Sequence, residues 1–279
     1  MTFAPEQLDR SKADLARLLR DLRKRAGLSG DRLARRCGLS QSTISKIETG
    51  RKTPRLTEVE SILRALGVPA EVSEDIMSLA RIANTEWQGV RASLRRGLEK
   101  RQTELAALEA SASEFRYFLP AMVTGLLATP EYVRASLAHS PGDVAPVVAR
   151  KLERQAVLYD ASKSFTFVLT EQAVRWSAIP PMAMSVQVEH LAAISRLPNV
   201  RLGIVPNGVV TGRGPMNTFT VYGAHLATVE TFTGRIVFRD SQDIAEHLAI
   251  FAMYEDVAIF ETEARDFLSI TAADFRRDL

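Results

Sequence analysis

The 279 residues hold one cysteine, Cys37, and four histidines, so thiolate and imidazole ligands for a redox centre or a metal are scarce. A lone cysteine closes no internal disulfide, so nothing calls for an oxidising compartment. The histidines, His139, His190, His225 and His247, lack the i, i+4 spacing of a metal site. Long apolar runs are missing too. The best candidate, Ile244 to Phe260, is broken by Glu246, His247, Glu255 and Asp256, short of the roughly 20 clean residues that a membrane span needs. MTFAPEQLDRSK at the start has no apolar core of a secretory signal. These absences predict a cytoplasmic protein without a membrane partner.

A catalytic constellation is also lacking. Gly212-Arg213-Gly214-Pro215 has the glycines of a phosphate loop but no GK[ST], and it precedes a strand pattern rather than a helix. Glu189-His190 and Glu230 fit satisfied surface or core roles better than a cleft. The expectation is a non-enzyme with no metal and no cofactor.

What is present begins with a hidden charge split. Residues 1–68 hold 15 Lys/Arg against 8 Asp/Glu, a net +7, and the rest carries −4, which together make the bland +3 of the whole. A basic leading segment suggests an anionic partner. That segment reads as five short helices. Leu15, Leu18, Leu19 and Leu22 recur at helical spacing before Gly27; Ser29 caps a helix ended by Gly38; Ser40 caps another ended by Gly50. Thr57 with Glu60 reads as a capping box, Gly67 and Pro69 as a stop, and a fifth helix begins at Ser73 or Glu74.

Only Gly38-Leu39-Ser40 separates the second helix from the third, the spacing of a helix-turn-helix whose second helix enters a DNA major groove. The outward residues of that third helix are Gln41, Ser42, Thr43, Ser45 and Lys46, small hydrogen-bonding groups and one cation suited to base edges. Arg51, Lys52 and Arg55 follow in the next loop, placed for phosphates, as is Arg35 before it.

The run Leu33 to Gly50, LARRCGLSQSTISKIETG, resembles the Cro/phage-repressor (XRE) helix-turn-helix family. The resemblance implies base reading by Gln41, Ser42 and Lys46, a base or phosphate contact at Thr43, and a structural ion pair between Arg23 and Glu48. The family usually places Gln at position 30, where it grips a phosphate and braces the first reading residue. Here Gly30 stands in its place, beside Asp31, which implies weaker anchoring on that side.

From Thr85 to Phe118, charged residues interleave with Trp87, Val90, Leu94, Leu98, Leu105, Leu108 and Phe115 without proline. This predicts an amphipathic connector helix, packed on its own domain, used for dimerisation, or both. The domains are then 1–82, a connector over 83–119, and 120–279. Strand patterns at 164–170, 200–205, 217–222, 226–231 and 235–238 alternate with helical ones. The fold class expected is an all-α N-terminal bundle followed by an α+β domain with a largely antiparallel sheet. Phe167, Trp176, Phe219 and Tyr222 are candidates to line a ligand pocket there, although period-two aromatics also make ordinary core.

Val123 to Tyr132, VTGLLATPEY, resembles the PGLLQTPEY segment of actinobacterial WhiJ-like regulators, with Thr124 and Ala128 in place of that segment's Pro and Gln. Arg154-Gln155, Pro198-Asn199-Val200 and Asn217 to Thr220 follow in the family's order. The resemblances imply a transcriptional regulator working with a small protein encoded nearby; the helix-turn-helix geometry adds the expectation of a homodimer on a double-stranded operator, and the candidate pocket that of a small-molecule effector. An antitoxin-like protein that sequesters such a partner is the alternative.

Overall fold

The computed structural model describes residues 5–89, 105–110, 112–138, 140, 143–232 and 234–277. Two compact units divide the chain after residue 89, with 236–243 grouped with the first.

The first unit is a bundle of α1 (Pro5–Arg25), α2 (Gly30–Cys37), α3 (Gln41–Glu48), α4 (Leu56–Leu66) and α5 (Ala70–Asn84), followed by strand β1 (Thr85–Gly89). Leu15, Leu19, Leu33, Ile44, Ile47, Val59 and Ile62 meet in its core, all essentially without solvent exposure. Each helix presents them at the three- and four-residue spacing seen in the sequence. Glycine ends the helices where a left-handed residue is needed: Gly38 and Gly67 have φ of 68° and 66°.

Two caps differ from expectation. Glu58, not Glu60, closes the start of α4, accepting the Arg55 N–H at 2.8 Å. The helix therefore begins two residues before the expected Thr57 cap could have opened it. Pro69 does not stop a helix but precedes one, with α5 starting at Ala70 rather than near Ser73. A proline's fixed φ suits the entry to a helix as well as its exit.

The connector reading is corrected at both ends. Thr85–Gly89 and Glu114–Leu119 are strands and 105–110 is helical. Residues 90–104, the middle of the expected helix, lie outside the described residues.

In the second unit, β2 (Glu114–Leu119) leads to α6 (Pro130–Ser136), α7 (Ala145–Arg154) and a 3-10 turn (Gln155–Tyr159). Then come β3 (Ser164–Thr170), α8 (Glu171–Arg175), α9 (Pro181–Ile194) and β4 (Val200–Val205). The chain finishes with β5 (Phe219–Tyr222), β6 (Leu226–Thr231), β7 (Gly234–Phe238), α10 (Ser241–Glu255) and α11 (Glu261–Arg277). Within this unit β6, β5, β2, β3 and β4 lie side by side in that order. β2, β3 and β4 run parallel, whereas β5 is antiparallel to β2 and β6 to β5. The sheet is thus mixed, not largely antiparallel. Helical crossovers between β2 and β3, and between β3 and β4, are what allow parallel neighbours; with β2 read as helix, the first crossover could not be seen.

Alternation gives the sheet two different faces. On one, Phe115 stacks on Phe165 with centroids 4.7 Å apart and Tyr117 on Phe167 at 4.9 Å. On the other, Phe118 meets Phe219 at 5.2 Å and Tyr254 at 4.3 Å. Two glutamines pin the loop before α6. Gln155 Nε2 donates to the Gly125 and Ala128 carbonyls at 2.8 and 2.7 Å. Gln187, fully buried, donates to the Leu127 carbonyl at 2.8 Å and accepts the Thr129 N–H at 2.7 Å.

Candidate nucleic-acid interface

The turn between α2 and α3 is built from local chemistry. Leu39 N–H reaches back to the Ala34 carbonyl at 2.9 Å while Gly38 takes the left-handed turn. Ser40, in extended conformation, accepts the Thr43 N–H at 3.1 Å and starts α3 at once. Ile44 and Ile47 point into the core, so helical geometry turns Gln41, Ser42, Ser45 and Lys46 to the exposed side. Thr43 is half-buried, and its hydroxyl shares a 2.8 Å hydrogen bond with that of Ser40.

A bidentate ion pair fastens the end of α3 to α1. Arg23 Nε and Nη2 donate to the two Glu48 carboxylate oxygens at 2.6 and 2.8 Å, and Nη1 donates to the Leu28 carbonyl at 2.7 Å. The Glu48 hydrogen bond, outweighing burial, holds the Arg23 pKa above its ordinary value. Arg23 is an internal strut, and its charge is not offered to a partner.

The cations beyond α3 fall into two kinds. Arg51 and Arg55 are exposed. Lys52 Nζ donates to Glu58 at 2.6 Å, and the Lys52 N–H folds the loop back onto the Lys46 carbonyl at 3.1 Å. Burial pushes the Glu58 carboxyl up, but Lys52 and the Arg55 N–H together outweigh it and hold it below its ordinary value. Arg35 pairs with Asp31 at 2.9 Å, both well exposed. Such a surface pair is worth only about 0.3–0.5 kcal/mol and exchanges readily for a phosphate. Asn84, absent from the sequence reading, holds the loop from beneath by donating to the Pro54 carbonyl at 3.0 Å. Glu58, three residues after Arg55, was the readable signal for the loop's anchoring; Asn84, 30 residues from Pro54, carried none.

The candidate pocket residues of the second unit are not brought together. Phe167 is fully buried beside Tyr117, Phe219 faces the opposite side of the sheet against Phe118 and His247, and Trp176 is 58% exposed after α8. Tyr222 alone of the four lines a cavity there. Burial, then the nearby Glu109 carboxylate, pushes its phenol up to about 12, so it stays protonated.

Residues 14–75 match a helix-turn-helix domain family, and residues 102–269 match a domain of unknown function, DUF5753. Over 62 residues the chain is 44% identical to an uncharacterized HTH-type transcriptional regulator of Methanothermobacter thermautotrophicus, covering 22% of this chain and 87% of that one. Among solved structures, Nuc, a phospholipase D family member of Salmonella typhimurium, is similar with a TM-score of 0.36 and 7% identity, over 57% of this chain and 90% of its own. TrmBL2, an archaeal chromatin protein, follows with a TM-score of 0.31 and 8% identity, over 72% and 66%. Neither score carries an argument. The DUF5753 match takes in more than half of the residues, and the chain belongs to that family, with a helix-turn-helix domain ahead of it.

Proposed function

We propose that the chain is a sequence-specific DNA-binding transcriptional regulator of the XRE type. It acts as a homodimer that sets two copies of α3 into successive major grooves of an inverted-repeat operator. The second unit is a binding domain, not an enzyme, and takes a regulatory input from a small ligand or a protein partner. On the segment from Val123 to Tyr132 we place it with the WhiJ-like regulators, working in the cytoplasm. One observation carries the reading: α3 exposes Gln41, Ser42, Ser45 and Lys46, with no acid among them, over a buried Ile44 and Ile47. The Methanothermobacter relative, an HTH-type transcriptional regulator by name, supports it.

Genome-wide occupancy of the tagged protein, followed by gel shifts on the enriched sites, tests the reading. Enriched sites are expected to hold half-sites about 34 Å apart, or a multiple of the helical turn. Lys46→Ala should cost about 1–3 kcal/mol at the preferred site and relax specificity, whereas Arg51→Ala weakens all sequences alike and flattens the salt dependence. Operator binding unchanged in both variants would sink the docking.

A second reading, an antitoxin-like protein that sequesters a small partner, is favoured by one observation. Val210 and Met216, in the segment between β4 and β5, are 91% and 87% exposed, a cost to leave in water. Co-purification of a small protein encoded alongside supports it; its loss in a Val210→Ser, Met216→Ser variant places the contact.

A further inference from the structure

The second unit holds a partly open cavity of about 490 Å³, within the size range of small-molecule sites. Its floor is the face of β2 and β5 that carries Tyr117, Leu119, Thr220 and Tyr222. Its walls come from α6, α7 and the loop before α6, with Val133, Leu137 and Val147 among the apolar contributors.

Two features set this floor apart from ordinary core. The first is polarity on a buried face. β5 turns Phe219 and Val221 to one side, yet offers Thr220 and Tyr222 to the cavity, joined by Thr218 just before the strand. A sheet face that served only to pack under helices would carry aliphatic residues there. The second is Tyr117. The residue is 5% exposed and its hydroxyl is buried, with no hydrogen bond of good geometry among the described residues. Leaving a buried hydroxyl in that state is costly unless something in the cavity completes it.

Charge narrows what that something is. Lys151, Arg154 and Glu230 line the cavity, and Arg154 donates through Nε and Nη2 to the buried Glu109 at 3.1 and 2.6 Å. Glu109 thus neutralises Arg154, and Lys151 and Glu230 add one charge of each sign to the lining. Ser136, Ser140, Thr124, Thr218 and Thr231 add neutral hydroxyls to the lining. An ion gains little in such a site; a neutral oxygen acceptor or donor on an apolar skeleton finds partners at both ends.

We propose that this cavity is the ligand site of the second unit, and that it takes an uncharged small molecule with a broad apolar body and carbonyl or hydroxyl oxygens. The inference rests on the small-ligand half of the reading above and names its chemistry.

Nile red, which is uncharged, apolar and carbonyl-bearing, is the probe, titrated into the full chain beside anionic anilinonaphthalene sulfonate. Saturable one-to-one binding of Nile red is expected, about tenfold or more tighter than that of the anion. Ser136→Trp fills the cavity from α6 and should weaken Nile red by at least about tenfold with the helical content intact. Should that variant not fold, Thr124→Phe fills the same space from the loop. Non-saturable binding, or binding that the folded filling variant leaves unchanged, overturns the site. Equal or tighter binding of the anion overturns the assigned chemistry. The DNA reading is scored separately, by gel shift of the same protein with mixed-sequence duplex DNA at low salt. Dye binding without DNA binding keeps the cavity and sinks the regulator; DNA binding without a displaceable dye does the reverse.

Discussion

The two units put their polar chemistry on opposite sides of their cores. In the first, the buried cluster is aliphatic, and the hydrogen-bonding side chains of α3 look outward. In the second, the core is built on stacked aromatic rings, and Gln187, Thr220, Thr228 and the Glu109–Arg154 pair sit inside. A reader of surfaces needs a rigid, dry interior and a varied exterior. A container needs its variety within. On the reading proposed above, the same residue types serve recognition in one unit by being exposed and in the other by being enclosed.

Each unit also holds a largely buried long-range arginine–carboxylate pair, Arg23–Glu48 in the first and Arg154–Glu109 in the second, and breaking these sharpens the contrast most. Glu109→Ala leaves Arg154 charged in the interior and should cost the second unit about 3–5 kcal/mol. Hydrogen exchange should show faster opening in its peptides and none in those of α1 to α5. Equal loss of protection in both units would show that they do not unfold independently. Glu48→Ala, at a pair with somewhat more solvent contact, should cost the first unit about 1–3 kcal/mol. It should also loosen α3, read as weaker operator binding that Glu48→Gln partly restores.

Acid should separate the units again. Burial holds the His190 imidazole below its ordinary pKa of 6.5, and its Nε2 has no hydrogen-bond partner among the described residues. The unfolded chain therefore binds a proton more readily than the folded one. Stability from this group is complete above pH 6.5 and declines as the pH falls below it, by up to about 1.4 kcal/mol per pH unit. Urea melts at pH 7 and pH 5.5 should show a slope in the second unit that His190→Leu removes; an unchanged slope would refute the assignment.

The smallest effect concerns Gly30. A Cβ there would meet only the Gln41 side-chain amide, at 4.0 Å. Gly30→Gln should brace Gln41 and tighten operator binding by about 0.5–1 kcal/mol; weaker binding in gel shifts would show that the brace is not what position 30 lacks.

What the sequence made legible follows the range of the interaction. Ser29, Gly38, Ser40 and Gly67 act within four residues of themselves, so the helices of the first unit can be read directly. β2 could not be read this way. Glu114 to Leu119 pairs with residues 50 positions away, and its direction beside β3 depends on a crossover rather than on its own pattern. The candidate pocket failed on parity. Phe219 and Tyr222 are three apart in one strand, and alternation sends them to opposite faces, so both could never line one cavity. Tyr117 and Thr220, which do share the face of Tyr222, carried no distinguishing signal.

The glutamine clamp bears on the two places where the segment from Val123 to Tyr132 departs from the WhiJ-like pattern. Gln155 and Gln187 hold that loop by the carbonyls of Gly125, Leu127 and Ala128 and by the N–H of Thr129. Main-chain atoms are common to every amino acid. Threonine at 124 and alanine at 128 can therefore replace proline and glutamine without moving the path of the chain, and the spelling of the loop is free to drift while its shape is kept. Because Thr124 and Ala128 also border the cavity, that drift would retune what the proposed site accepts at no cost to the frame around it.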